Sequence, residues 1–257
     1  MPALAPGLRA DPARLPLAAR GEAPLAGSIR LLTANLWSEA ADPVALAEQL
    51  EALRVDVACF QELGAQQAAA IARVLPHGKL EPGATKHDHD GMGIAARRPL
   101  APSRIALPKR DAHRAELDPR DWPELDAKLE LINLHIQAPH VFPPWRSLAL
   151  RREQIAQLLP HFEAAPETAR IVCGDFNATP LWPVYRALAS RIPDLALEHA
   201  ELRRETPMRT WGPWSGAPRL LRIDHVLGAG VLAANVQVVP VRGSDHSAVV
   251  VDLVSET

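Results

Sequence analysis

Between Ile171 and Pro180 the chain reads IVCGDFNATP, an apolar run that stops at Gly174 and delivers a carboxylate, Asp175, and two positions later a carboxamide, Asn177. Alternate side chains of an extended chain share a face, so the two polar groups would point the same way. The same interruption recurs elsewhere. Asn35 closes the run in TANLW, Glu62 closes CFQE, His135 lies near the end of INLHI, Asp224 is set in RIDHV, and Asp245 with His246 opens the last apolar run in GSDHS. A buried charge costs several kcal/mol unless it is paired or bound to metal, so one interruption is ordinary. So many of them call for a shared explanation, and convergence on one pocket is the economical one.

The residue types suggest which chemistry that pocket could do. Glu62, Asp245 and Asn35 offer hard oxygen ligands of the kind Mg²⁺ takes, with Mn²⁺ as the alternative, and water and a phosphate oxygen complete such a shell. Zinc would call for more nitrogen or sulfur. His135 and His246 can donate hydrogen bonds to a phosphoryl oxygen or move protons, and Asp224 can hold His246 in one orientation. Asp175 can orient or deprotonate an attacking water. Phosphoryl transfer needs mainly alignment and charge stabilisation, which a ring of donors and one cation supplies.

Such a ring requires many strands ending at one edge. SIRLLTANLW reads as a strand, and DPVALAEQLEALR as a helix with Asp42 as N-cap and Pro43 at its first position. VDVACFQE is a mostly apolar strand, and AQQAAAIARVL is a helix by propensity, stopped by Pro76. GMGIAAR, SRIAL, KLELINLHI, ARIVCGDF, RIDHVL, NVQVV and HSAVVVDL follow as strands. Trp145 to Leu159 has helical spacing, which places Leu148, Ile155 and Leu159 on the buried side and Arg151, Arg152 and Glu153 outside. Strands dominate and several are almost continuously apolar, as if covered on both faces. The expected architecture is a four-layer α/β/β/α sandwich of two mostly antiparallel sheets flanked by helices.

Composition sets the bounds. The 257 residues, 47% of them hydrophobic, can bury one large core, read here as a single domain over residues 29–257. Residues 1–28 are rich in Pro and Ala, and charges break every apolar stretch, so they read as a flexible or extended lead-in and not a signal peptide. A net charge of -2 argues against a protein held on nucleic acid by global basicity. The two cysteines, Cys59 and Cys173, lie in apolar runs and read as buried free thiols, which suits a reducing, cytoplasmic setting. No run is long enough and uninterrupted enough to span a bilayer, and no protein partner is legible.

The ordered series N, QE, H, GDFN, IDH and SDH resembles the endonuclease/exonuclease/phosphatase superfamily, which includes DNase I-like nucleases, and the resemblance spans about Ile29 to Leu253. It implies the four-layer sandwich and Mg²⁺-dependent cleavage of phosphate esters. Carried over, it makes Glu62 the principal metal ligand with Asn35 and Asp245 beside it. Asp175 would position the nucleophilic water, Asn177 would hold a phosphate oxygen, His246 and Asp224 would form the catalytic pair, and His135 is similar to the second histidine of the DNase I-like branch. In LEPG, Glu81 matches a glutamate that orients that histidine, with a plain exposed glutamate as the alternative.

Other polar features have plainer readings. His225 should face away from Asp224 and reads as structural, and HDHD, His87 to Asp90, reads as a solvated turn ahead of a strand rather than a second metal site. The segment from Arg203 to Arg222 holds five arginines against one acid. Within it Arg209, Trp211, Trp214 and Arg219 are candidates to contact substrate, against a loop that merely packs down. The leading expectation is a phosphodiesterase acting on a phosphate-ester substrate, first of all a nuclease. A phosphatase or lipid-directed enzyme of the same fold is the alternative, and a non-catalytic binding module the alternative of another class. Abasic-site repair fits poorly, because Trp37 stands where that subfamily has an acid and QELGAQQ has no lysine.

Overall fold

The computed structural model describes residues 24–85 and 88–256. Nearly all of the lead-in, and His87 of the HDHD turn, lie outside the described residues. The elements run β1 (Ile29–Asn35), α1 (Pro43–Ala52), β2 (Val57–Gln61), α2 (Ala65–Val74), β3 (His77–Glu81), β4 (Met92–Ala96), β5 (Ala101–Ile105), β6 (Ala112–Leu117) and β7 (Leu129–His135). They continue with α3 (Pro144–Ala164), β8 (Ala169–Asp175), α4 (Pro183–Ala189), α5 (Leu195–Leu202), β9 (Asp224–Ala229), β10 (Val231–Pro240) and β11 (Ser247–Ser255).

Two sheets form, one ordered β10-β11-β1-β2-β4-β3 and the other β5-β6-β7-β8-β9. Each is antiparallel except for one parallel pair, β1 with β2 and β7 with β8. Alternation along the strands explains why they read as continuously apolar. In β1, Ile29 and Leu31 enter the core between the sheets, where they join Val57, Cys59, Leu131, Ile171, Cys173 and Val249, while Leu32 and Ala34 face the opposite way. That outer face is covered by α1 and α2 through Leu46, Leu50 and Ile71. On the other sheet Ile132, Leu134 and Val172 meet Ile155 and Leu158 of α3 and Val184 and Leu188 of α4. The result is the expected α/β/β/α sandwich. Both cysteines are buried and free. Among the described residues, no helix is long and apolar enough to cross a membrane.

Asp42 caps α1 as expected, its Oδ1 accepting from the amides of Val44 and Ala45 at 3.0 and 3.1 Å. The first turns of α3 correct the sequence reading, whereas Ile155 packs inward and Arg152 and Glu153 are exposed as expected. Arg151, expected outside, is 1% exposed, and Leu148, expected inside, is 42% exposed. The Arg151 guanidinium sits 5.2 Å from the Trp182 ring centre, and its Nη1 donates to the Gln137 carbonyl at 2.5 Å, so ring and carbonyl replace water around the charge.

Candidate functional site

The pairing registers bring the polar strand ends to one edge of the sandwich. His135 lies opposite Asp175, Asp175 opposite Asp224, and Asn35 opposite Gln61, the residue before Glu62. Asp245 and His246 immediately precede β11, which pairs with β1. Two glycines allow the chain to arrive there. Gly174 has φ +130°, and a Cβ on it would lie 2.0 Å from the Leu134 carbonyl oxygen; Gly243 has φ +92°, and a Cβ would lie 2.0 Å from that of Ala40. No other residue type fits either position, so the Asp175 and Asp245 turns each depend on a glycine. Glu62 and Asn177 also hold positive φ, 50° and 48°, which bends their backbones out of the strand direction.

Across the gap between the sheets, Asn35 Nδ2 donates to Asp175 Oδ2 at 3.0 Å and to Glu62 Oε1 at 3.1 Å. Asn177 supports Asp175 from just beyond the end of β8, through its amide to Oδ1 at 2.7 Å and its Nδ2 to Oδ2 at 3.1 Å. His246 Nδ1 lies 2.9 Å from Asp224 Oδ2, leaving its Nε2 3.9 Å from Asp175 Oδ2 and 3.9 Å from Asp245 Oδ1. His135 Nε2 is 3.7 Å from both Glu62 Oε1 and Asp175 Oδ2. Beneath lies a neutral floor: Gln61 Nε2 donates to Thr33 Oγ1 and Asn133 Oδ1, and Asn133 Nδ2 to the carbonyls of Phe60 and Gly93.

Burial and neighbouring charge set the protonation states. Burial pushes the Asp175 carboxyl up to about 7, with His246 opposing and Asp224 and Glu62 adding to the rise. Burial disfavours charge on His246, but Asp224, Asp175 and Asp245 outweigh it and lift the imidazole to about 10. His135 is driven well below the usual imidazole range by burial, then by Arg110, His246 and His89, so it is neutral. Burial also raises Asp245, against His246 and the Trp211 hydrogen bond.

A cation fits this donor set. Asp245 Oδ1 is buried with no hydrogen-bond partner, an orphaned anionic oxygen that a cation would satisfy. Asp175, Asp224 and His246 also place ligand atoms within 4.8 Å of one another. Asp245 Oδ1 is the freer of these, because in the second group the His246 Nδ1 is already committed to Asp224.

Several expected residues have other employment. Glu81 does not support His135: its carboxylate binds Lys79 Nζ at 2.9 Å, Arg104, and His113 Nε2 at 3.2 Å, while His135 Nδ1 is buried without a partner. Arg219 was expected at the substrate, but its guanidinium serves the backbone that carries Asp245 and His246. Its Nε donates to Ser247 Oγ at 2.8 Å, Nη1 to the Asp245 carbonyl at 2.7 Å and Nη2 to that of His246 at 2.9 Å. Trp211 Nε1 donates to Asp245 Oδ2 at 2.9 Å, so the indole also holds this turn. Arg209 and Trp214 remain exposed in the same segment. His225 is structural as expected, its Nε2 paired with the Ala178 carbonyl at 2.8 Å.

One residue at the site was missed. His89, in the turn read as solvated, hydrogen-bonds Glu62 Oε2 through its Nδ1, which also lies 3.0 Å from Ser38 Oγ. Spacing within HDHD carried no signal for this, since the contact depends on where the tertiary fold brings His89 against Glu62 and Ser38.

The model of the Endonuclease/Exonuclease/phosphatase family matches residues 32–246, which takes in every polar strand end described above. The chain belongs to this family. Its members are phosphoric ester hydrolases, and the chain is an enzyme of that class. Solved structures agree on the fold. The human Nocturnin catalytic domain with bound sulfate is 22% identical, with TM-score 0.66, over 90% of this chain and 96% of that one. An endonuclease/exonuclease/phosphatase from Beutenbergia cavernae is 18% identical, with TM-score 0.68, over 89% and 72%. A Bacteroides thetaiotaomicron mannosyl-6-phosphatase is 14% identical, with TM-score 0.61, over 88% and 100%. No curated protein matches the chain.

Proposed function

We propose that this phosphoric ester hydrolase is a phosphodiesterase that uses water as nucleophile and a divalent cation of the Mg²⁺ or Mn²⁺ kind. Glu62 and Asp245 would hold the cation, which supplies Lewis-acid stabilisation of charge on the phosphoryl oxygens; Asn35, expected as a third ligand, turns its Nδ2 to Glu62 and Asp175 while its Oδ1 accepts from the Trp37 amide at 2.9 Å, so it would orient Glu62 rather than ligate. Asp175 sits between Asn35, Asn177 and the two imidazoles, where its Oδ2 can accept a proton from the attacking water or fix that water in line. Asn177 keeps its amide group beside the same point. His246, held by Asp224 as an imidazolium, can donate from Nε2 to a phosphoryl or leaving-group oxygen, and neutral His135 can add a hydrogen bond. The observation that carries this reading is Asn35 Nδ2, which ties Glu62 and Asp175 to one donor and so couples the metal side of the site to the water side.

A nucleic acid is the first substrate class for the two-histidine site. A second reading, a phosphatase or lipid-directed enzyme, is favoured by the segments that adjoin the strand ends of this edge. These expose Phe142 (83%), Trp145 in the first turn of α3, Leu181 and Trp214, while Arg110 is engaged by Asp90 and the His135 carbonyl. The test sets bis(p-nitrophenyl) phosphate beside p-nitrophenyl phosphate, then single-stranded DNA beside phospholipid vesicles, with Mg²⁺, Mn²⁺ or EDTA. Metal-dependent diester cleavage, lost in Glu62→Ala and His246→Ala, is the expected result. Folded wild type that cleaves as fast in EDTA, or a Glu62→Ala variant with full activity, would sink the metal-assisted reading.

A further inference from the structure

We infer that the loop ahead of α3 and the first turns of that helix form a docking surface for anionic phospholipid, which would seat the catalytic edge on a membrane. The inference deepens the lipid-directed reading given above and rests on it for what is cleaved there.

The first turns of α3 are built inside out. Ser147, Arg151 and Gln154 are buried, while Trp145, Leu148 and Ala149 face solvent, Trp145 being 67% exposed. Further along, Ile155, Leu158 and Phe162 restore the usual order. The buried polar groups are spent on the backbone that leaves β7 after His135. Ser147 Oγ donates to the Ala138 carbonyl and Arg151 Nη1 to that of Gln137, both at 2.5 Å, and Gln154 Oε1 accepts from the Gln137 amide at 3.1 Å. From the site, Asn177 Nδ2 donates to the Ile136 carbonyl at 3.0 Å, so these turns are fastened to the catalytic edge. The outward face is apolar instead. Phe142 stands edge-on to Trp145 with ring centres 6.2 Å apart, Val141 is exposed next to it in the chain, and Trp145, Leu148 and Arg152 recur at helical spacing on one side of the helix. A contiguous exposed apolar patch of this kind marks a surface that meets something else.

Charge identifies the partner. No acidic residue occurs between Glu130 and Glu153, whereas Arg146 and Arg152 are exposed around the patch. Aromatic rings, aliphatic side chains and arginines together are what the boundary between headgroups and acyl chains accepts, and the arginines favour anionic lipid. Single-stranded nucleic acid would stack on the rings but gives no use for the aliphatic Val141 and Leu148.

Co-sedimentation of the full chain with phosphatidylcholine vesicles, with and without phosphatidylserine, tests this in wild type, in the double variant Phe142→Ser with Trp145→Ser, and in the double variant Arg146→Gln with Arg152→Gln. The expected result is binding that phosphatidylserine strengthens, that the first variant weakens about 10–100-fold, and that loses its phosphatidylserine dependence in the second. All four side chains are exposed, so thermal melts should match wild type and metal-dependent hydrolysis of soluble bis(p-nitrophenyl) phosphate should stay within about twofold. Wild type that binds neither vesicle, or vesicle binding that survives Phe142→Ser with Trp145→Ser, would overturn the surface. So would loss in that variant of oligothymidylate binding or of a wild-type dimer in place of vesicle binding, which would assign the face to nucleic acid or to a second copy of the chain. Vesicles bound through Phe142 and Trp145 whose phospholipid is left uncleaved would instead overturn the lipid-directed reading and leave the surface standing, so the two failures are distinct.

Discussion

The two ends of the same strands treat charge in opposite ways. At the start of β7 and β8, Glu130 is bound by Arg170, Arg114 and His161; at the start of β1 and the far end of β11, Arg30 grips Asp252 through Nε at 2.6 Å and Nη2 at 2.8 Å. At the other ends of these strands sit His135, Asp175, Asn35 and His246. Glu62, Asp175, Asp224 and Asp245 crowd together there, and among them only Asp224 has a short ionic partner of the buried kind, His246. The first edge satisfies its charges within the protein. The second leaves one buried carboxylate oxygen, Asp245 Oδ1, without a hydrogen-bond partner, which is the difference between charge used to hold a fold and charge that the proposed function would use for a cation and a substrate.

Substitutions should separate the two edges. Asp175→Asn should lower kcat by about 10⁴-fold, roughly 5 kcal/mol of barrier, while the metal-free protein melts no lower than wild type, because a buried, poorly compensated carboxylate has been removed. Glu130→Ala should do the reverse. Stranding Arg170 should cost about 3–5 kcal/mol in urea unfolding while kcat at low temperature stays near wild type. A large loss of kcat in Glu130→Ala at full folding would break the contrast.

The edges should also answer pH with opposite sign. A carboxyl raised on folding stabilises at low pH, so Asp175 contributes fully below its ordinary value near 3.8 and loses that contribution as pH rises through about 7. His246 acts in the same sense, with its contribution lost as pH rises through about 10. At Glu130, burial works against the charge, but Arg114, Arg170 and His161 hold it at about 2, so its contribution is complete above 4.5 and disappears as pH falls through about 2. Urea unfolding of the metal-free protein across pH should show both limbs, with Asp175→Asn flattening the upper and Glu130→Gln the lower. A lower limb that survives Glu130→Gln unchanged would remove that assignment.

Smaller effects sharpen the border between them. Arg219→Ala should cost about 10–100-fold in kcat by loosening the Asp245–His246 turn, with KM little changed; a rise in KM alone would restore the substrate contact that the sequence suggested. Trp214→Ala should shift stability by less than about 0.5 kcal/mol, and any change should fall on KM for apolar substrates.

Much of this was legible in the sequence because it was written in apolar periodicity and in polar residues that break it. The runs ending at Asn35, Glu62, His135 and Asp175 became strands whose ends meet. What stayed hidden was side-chain employment. Arg219 shows a charge in sequence, but not that three backbone oxygens or hydroxyls would consume it. At the start of α3 the buried stripe runs through Ser147, Arg151 and Gln154, so a search for apolar spacing chose Leu148 in place of Arg151 there, although Ile155 and Leu159 further along do face the core. β3 (HGKLE) and β6 (AHRAEL) pair through their backbones with little apolar signal, and both were missed. For Glu81, at the end of β3, the placement of β5 and β6 supplies Arg104 and His113, and for His89 the tertiary fold supplies Glu62, so neither neighbour could be read from local spacing.

The position of β11 has a consequence for how the molecule is made. It lies between β10 and β1, in the interior of the six-stranded sheet, although it is the last of the described elements in the chain. As the chain emerges during synthesis, β1 through β4 can assemble early, yet the edge of β1 stays open until the final strand inserts, more than two hundred residues behind its partner. Arg30 waits through that interval for Asp252, and the histidine paired with Asp224 arrives on the same segment. A nascent chain is thus barred from holding a complete site until its sheet is closed, and the open β1 edge is the interval in which a chaperone would find it.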